Sequence, residues 1–194
     1  MADPRAIQLL HRLLEITRRE GIPVGIGGGL AVNVHGVERQ TTDVDAFFLT
    51  ADRPRIVRAL RKDGFVVDRV FAPFHYFAFL PEHGDPRVRI DLLFPQDEPE
   101  LSAVERPVLV GKWDEQVPAF PVELLVLSKF YSNQALDLWD ITALYEAGAF
   151  EPETVRAVLA TIDPAAVVDF DSLMTTVRLG RGGSRPRPPR RNGG

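Results

Sequence analysis

Val24-Gly25-Ile26-Gly27-Gly28-Gly29-Leu30-Ala31 and, fourteen residues beyond Gly29, Asp43-Val44-Asp45-Ala46-Phe47-Phe48-Leu49 decide how this chain folds. Val24 to Ile26 reads as a short apolar strand, and the glycines turn it into a short helix over Leu30 to His35. Asp43 to Leu49 reads as a second strand with acids at alternate positions. Side chains at i and i+2 of a strand project from one face, so Asp43 and Asp45 share a surface while Val44 turns the other way. Two like charges that close are unfavourable unless a cation lies between them. The pair alone is a weak signal, because a chain with 27 acids yields about four acid-x-acid pairs by chance. Gly28 and Gly29 supply context. Glycine lets a backbone approach a ligand without a Cβ in the way, and a helix start offers free N–H groups to a phosphate.

Asp91 is the third carboxylate, set in the apolar strand Val88-Arg89-Ile90-Asp91-Leu92-Leu93, where an unpaired charge is costly. Two readings stand open for it. It completes an oxygen cage suited to Mg²⁺, or it forms a structural ion pair with Arg87 or Arg89. Arg39 is likewise either a phosphate clamp, for which its planar fork is suited, or a surface charge.

Further out, Arg5 to Glu20 carries apolar residues at helical spacing, with Asp3 as N-cap, Pro4 at the first position and Gly21 as stop. Pro54 to Lys62 reads as another helix, and Phe65 to Phe71, His75 to Leu80 and Arg87 to Phe94 as strands, with a weak strand near Val108. The aromatics Phe71, Phe74, Tyr76, Phe77 and Phe79 read as one buried hairpin face, or as a base-stacking platform if exposed. From Pro121 the periodicity is helical: Val122 to Tyr131, Ala135 to Ala147, a helix opened by Pro152, and Ala165 to Val177. The predicted fold class is therefore α/β (α+β), a mixed sheet flanked by helices over residues 1–120, then a helical region over 121–178 and a disordered basic tail over 179–194.

Composition narrows the chemistry. The 194 residues are 45% hydrophobic and 26% charged, the balance of a soluble globular protein. No apolar run approaches the roughly 18 residues of a membrane span, and no secretory pattern opens the chain, so a cytoplasmic location with no membrane partner is expected. With no Cys and four His, any metal must be held mainly by carboxylates. The six arginines from Arg178 onward leave 17 basic against 27 acidic groups in residues 1–177, a net of −10 within an overall −4. The tail is a solvated end or a source of phosphate attraction.

The run Gly28-Gly29-Leu30-Ala31, His35-Gly36, Arg39, Thr41, Asp43-Val44-Asp45 and the distant Asp91 resembles the nucleotidyltransferase fold of the polymerase-β superfamily. Leu124 to Lys129, followed by Asp137 and Asp140, is similar to the helical region of abortive-infection toxins of the AbiEii type. Where those toxins carry a basic residue and Lys-Asp, this chain has Asn133, Gln134, Ala135, Leu136 and Asp137. The resemblance implies a metal-dependent enzyme that moves NMP from an NTP, its substrate, to a hydroxyl of an RNA or tRNA 3′ end or of a protein. It implies that Gly28 and Gly29, with Arg39 and Thr41, hold the nucleotide, that Lys129 neutralises the triphosphate, and that Asp43, Asp45 and Asp91 serve catalysis and a two-ion Mg²⁺ site. It also implies a toxin–antitoxin system with a cognate partner. The competing expectation is a binding or regulatory, antitoxin-like module that kept the fold and lost the reaction.

Overall fold

Seventeen residues, Pro4–Glu20, form α1: the Asp3 side chain accepts from the Arg5 N–H, and Gly21 closes the helix in the left-handed region at φ 62. The computed structural model describes residues 1–70 and 74–179, so Phe71 and the tail from 180 onward lie outside the described residues. The chain divides into two units, Met1–Leu125 and Val126–Gly194.

The first unit is built on a seven-stranded mixed sheet. Its strands are β1 (Gly25–Ile26), β2 (Asp43–Phe47), β3 (Val66–Arg69), β4 (His75–Phe79), β5 (Arg89–Leu93), β6 (Val108–Lys112) and β7 (Glu115–Ala119). Their spatial order is β3-β4-β5-β2-β1-β7-β6. β2 lies parallel to β5 and β1 parallel to β7, and the other neighbours are antiparallel. Three helices join α1 here: α2 (Gly28–Val34), α3 (Arg53–Lys62) and α4 (Glu100–Glu105).

The core sits on one face of this sheet. Val44 and Ala46 of β2 and Ile90 and Leu92 of β5 are fully buried, together with Leu10, Leu13 and Ile16 of α1 and Ile56 and Leu60 of α3. The odd-numbered residues of β2 and β5 therefore face the opposite way, which is what a period of two requires once one face is buried.

In the second unit, α6 (Ala135–Glu146), α7 (Pro152–Ile162) and α8 (Val167–Arg178) follow α5 (Val122–Ser132), whose first turn belongs to the first unit. Phe170 of α8 packs edge-on against Phe130, and Val155, Leu159 and Met174 are buried.

Three sequence expectations shift. The strand expected over 65–71 is β3, four residues ending at Arg69. The weak strand near Val108 is one arm of a hairpin whose other arm, β7, reads poorly because it contains Pro118. Its turn is Trp113-Asp114, both with positive φ (52 and 60), without the Asn-Gly signature that betrays such a turn in a sequence. The last helix begins at Val167, after a 3₁₀ turn over Pro164–Ala166. Among the described residues, no helix is long and apolar enough to cross a membrane.

Candidate active site

Asp43 and Asp45 leave β2 on the face away from the core, and the parallel register sets Asp45 directly beside Asp91 of β5. One carboxylate oxygen from each of the three lies within 4.8 Å of the others. Asp43 and Asp45 are half-buried, while Asp91 is only 4% exposed. The Thr41 hydroxyl donates to Asp43 Oδ1 at 2.7 Å, which fixes the first acid of the pair.

The glycines are shaped to this cluster. Gly28 opens α2 with φ 56, and a Cβ there would collide with the Asp45 carboxylate. A Cβ on Gly29 would strike the Arg39 guanidinium and come within 2.8 Å of the Thr41 hydroxyl oxygen. Gly27 donates its N–H to the Asp45 carbonyl at 3.0 Å. Thus Gly28, Gly29, Arg39, Thr41, Asp43, Asp45 and Asp91 are brought to one place, the two glycines clearing room for two of the other side chains.

Asn33, absent from the sequence reading, organises that corner. Its amide nitrogen donates to the carbonyls of Gly29 and Arg39, both at 2.9 Å, and its oxygen accepts from the Arg39 N–H at 3.3 Å. A buried Asn inside a helix, in a class of residue that prefers caps and turns, was the available signal. His35, beside it, donates from Nε2 to the Phe120 carbonyl at 2.8 Å and packs rather than facing the acids.

Asp91 stands between acids and cations. It faces Asp43 and Asp45, and it is also paired with Arg89, whose Nε donates to Oδ1 at 3.2 Å and to Oδ2 at 3.1 Å. His75 Nε2 lies 2.9 Å from Oδ1. Arg87 instead grips Asp85, holding that carboxyl down to about 2. Arg89, two residues away on the same strand, was one of the two partners the sequence offered for Asp91, whereas His75 did not stand out because its approach depends on the pairing of β4 with β5.

Phe77 and Phe79 are half-buried and share the acid-bearing face, whereas Tyr76 and Ala78 pack into the core. A cavity of about 330 Å³ is lined by Phe47, Phe74, His75 and Leu93 together with Asp97 and Glu100.

Lys129 stands in the second unit. It is 5% exposed, and its Nζ lies 3.0 Å from Asp137 and 2.6 Å from the fully buried Asp140. The charge that the resemblance reserves for a triphosphate is engaged by two carboxylates of α6.

The donor set suits a divalent ion. Three oxygens from separate carboxylates converge in a space kept clear by Gly28, and hard oxygen ligands of this kind are those Mg²⁺ takes. No family model matches the sequence, and no curated protein matches it significantly. Solved structures do. ANT(2")-Ia in complex with adenylyl-2"-tobramycin aligns over 86% of this chain and 97% of its own, with TM-score 0.61 and 16% identity. An antigenic nucleotidyltransferase-like protein from Paracoccidioides brasiliensis aligns over 88% and 94%, with TM-score 0.57 and 17% identity. The lincosamide antibiotic adenylyltransferase LnuA, lincomycin-bound, aligns over 74% and 97%, with TM-score 0.54 and 16% identity. At such identities the likeness speaks to architecture: this chain has the nucleotidyltransferase fold.

Proposed function

We propose that this protein is a divalent-metal-dependent nucleotidyltransferase that moves NMP from an NTP to a hydroxyl acceptor. The observation that carries the reading is the meeting of Asp43, Asp45 and Asp91 within 4.8 Å beside Gly28 and Gly29. Asp43 and Asp45 are the residues to hold Mg²⁺. When bound, such an ion polarises the phosphoryl group and offsets the charge that builds there. Gly28 and Gly29 let the triphosphate approach the backbone, with the Arg39 guanidinium beside them as the phosphate-binding cation. Thr41 holds Asp43 in place through its hydroxyl. Asp91, fixed by Arg89 and His75, accepts or orients the proton of the attacking hydroxyl.

The acceptor read most directly is a small hydroxylated molecule. ANT(2")-Ia was solved with adenylyl-2"-tobramycin and LnuA with lincomycin. In this chain the cavity that His75, the partner of Asp91, helps to line is small and counts Asp97 and Glu100 among its walls, a lining that repels a polyanion. An RNA 3′ end and a protein hydroxyl are the other arms of the test. Wild-type protein is incubated with each α-labelled NTP and Mg²⁺ over tobramycin, lincomycin, total tRNA and a protein extract. Label transferred by wild type and lost in Asp43→Asn and Asp45→Asn supports the reading; equal transfer by Asp45→Asn sinks it.

One observation favours the second reading, a silent binding or regulatory module: both Asp91 oxygens are already engaged by protein donors. Calorimetry with the four NTPs and Mg²⁺ decides, since nucleotide binding without label transfer to any acceptor is its signature. A toxin–antitoxin role rests on the helical resemblance alone, and growth arrest on induction, dependent on Asp45, is its test.

A further inference from the structure

The acid-bearing face carries a cation whose charge bears directly on metal binding. Arg89 opens β5 opposite Asp43 in the parallel register and projects from the same face as the three acids. Its Nε bonds both oxygens of Asp91, and its guanidinium carbon lies 5.5 Å from the centre of the Phe77 ring. Phe77 faces Asp91 from β4. Among the described residues, the two bonds to Asp91 are the only hydrogen bonds of this guanidinium.

An exposed ion pair is worth little, but the carboxylate end of this one is buried while the Arg89 side chain is 36% exposed. The Asp91 side chain is 6% exposed and shares a 4.8 Å cluster with two further carboxylates. Like charges that close repel unless a cation joins them. Arg89 is a fixed, permanently charged cation on the one cluster member that solvent scarcely reaches. Its position also argues against a phosphate clamp. The strand order sets β5 and β2 between β4 and β1, so a guanidinium stacked on Phe77 lies toward the side of the site away from Gly28 and Gly29.

We propose that Arg89 is a built-in counter-ion of the aspartate cluster. It orients and neutralises Asp91 in the metal-free protein, and it competes with a divalent ion for the Asp91 oxygens. This rests on reading the cluster as a divalent-ion site. Arg89 is a positioning residue acting through Asp91, and it sets how much free metal the site needs. Removing it withdraws a positive charge from the cluster and releases Oδ2, while His75 still holds Oδ1, so a divalent ion binds more tightly while the metal-free protein becomes less stable. A lysine keeps the charge but not the planar grip.

The test titrates Mn²⁺, followed by electron paramagnetic resonance of the free ion, into full-length wild type, Arg89→Met, Arg89→Lys and Asp45→Asn, with melting temperatures measured with and without Mn²⁺. Arg89→Gln repeats the measurement with a polar neutral side chain, so that poor folding of one variant does not decide the outcome. The neutral variants are expected to bind Mn²⁺ about tenfold tighter, the scale of one nearby charge in a screened site. They are expected to melt lower without metal and to gain more from Mn²⁺ than wild type does. Arg89→Lys should stay within about twofold of wild type, and ATP affinity should not move.

Neutral variants that bind Mn²⁺ equally or more weakly, or that lose ATP affinity, overturn the counter-ion role. If Asp45→Asn loses Mn²⁺ binding in the same experiment, the metal reading stands and only the role of Arg89 falls. If wild type binds no Mn²⁺, or Asp45→Asn binds it as wild type does, both fall together.

Discussion

The Asp45 carboxylate occupies the place where Gly28 would carry a Cβ. The glycine is therefore required twice, once by its left-handed backbone at φ 56 and once by the side chain against it. Gly28→Ala is expected to cost about 1 kcal/mol from backbone conformation alone, and to push Asp45 out of reach of Asp43 and Asp91. NMP transfer should fall at least about a hundredfold, the scale set by misplacing a reacting group by an ångström, with the circular-dichroism spectrum retained. Pyrophosphate release measures it, and a variant with near-wild-type turnover would show that Asp45 has no need of that position.

Gly29 makes the contrasting case. Its missing Cβ is matched by the far end of a flexible side chain, Arg39, which can swing aside. Gly29→Ala should leave stability within about 1 kcal/mol and act through Arg39, raising KM for the NTP by about tenfold, the loss of one charge-assisted contact to phosphate. Because both changes strike the Arg39 interaction, Gly29→Ala combined with Arg39→Met should exceed Arg39→Met alone only by what the Thr41 contact at 2.8 Å costs. Additive KM values would separate the two residues.

The contrast shows what the sequence could convey. Gly28, Gly29, Asp43 and Asp45 were legible because they lie on adjacent elements with period-two spacing, and Asp91 because an acid amid Val, Ile and Leu demands a partner. The Asp91 surroundings were less legible. Arg89 was within local reach, two residues along the same strand, but His75 reaches Asp91 through the pairing of β4 with β5, a non-local fact that no local pattern encodes. β7 stayed hidden because Pro118 and the Trp113-Asp114 turn contradict local rules that tertiary pairing overrides. For Lys129, Asp137 and Asp140, helix periodicity cannot tell a solvent face from a buried charge cluster.

Acid should loosen the first unit through its arginine-clamped carboxylates. Hydrogen bonding from the Arg5 side chain holds Asp3 below the ordinary carboxylate value, and Arg87 holds Asp85 down to about 2. A depressed native pKa means that the charged form is favoured by folding. The stabilisation is complete above the unfolded value near 3.8 and is lost as the pH falls toward 2. Melting temperature should therefore drop between about pH 4 and pH 2, and drop less in Asp3→Asn and Asp85→Asn. Asparagine still caps α1, so the Asp3 variant removes charge and keeps the cap. Parallel acid-melting curves for wild type and both variants would refute this.

The second unit hangs on its buried ion triad. Asp140 is fully buried and Lys129 nearly so, and removing one member strands the charge of another. Asp140→Ala and Lys129→Met are each expected to lose about 3 kcal/mol, the low end for breaking a buried pair. The double variant Lys129→Met with Asp140→Leu replaces the two most buried ions by apolar groups of similar bulk and should lose less than the sum, because only Asp137, the more exposed member, is left without its cation. Urea unfolding measures all three. The same double variant tests the phosphate role that the resemblance gives Lys129: with two carboxylates already around its ammonium, ATP affinity should change by less than about twofold, or under half a kcal/mol. A tenfold loss of ATP binding in a folded double variant would return Lys129 to the nucleotide.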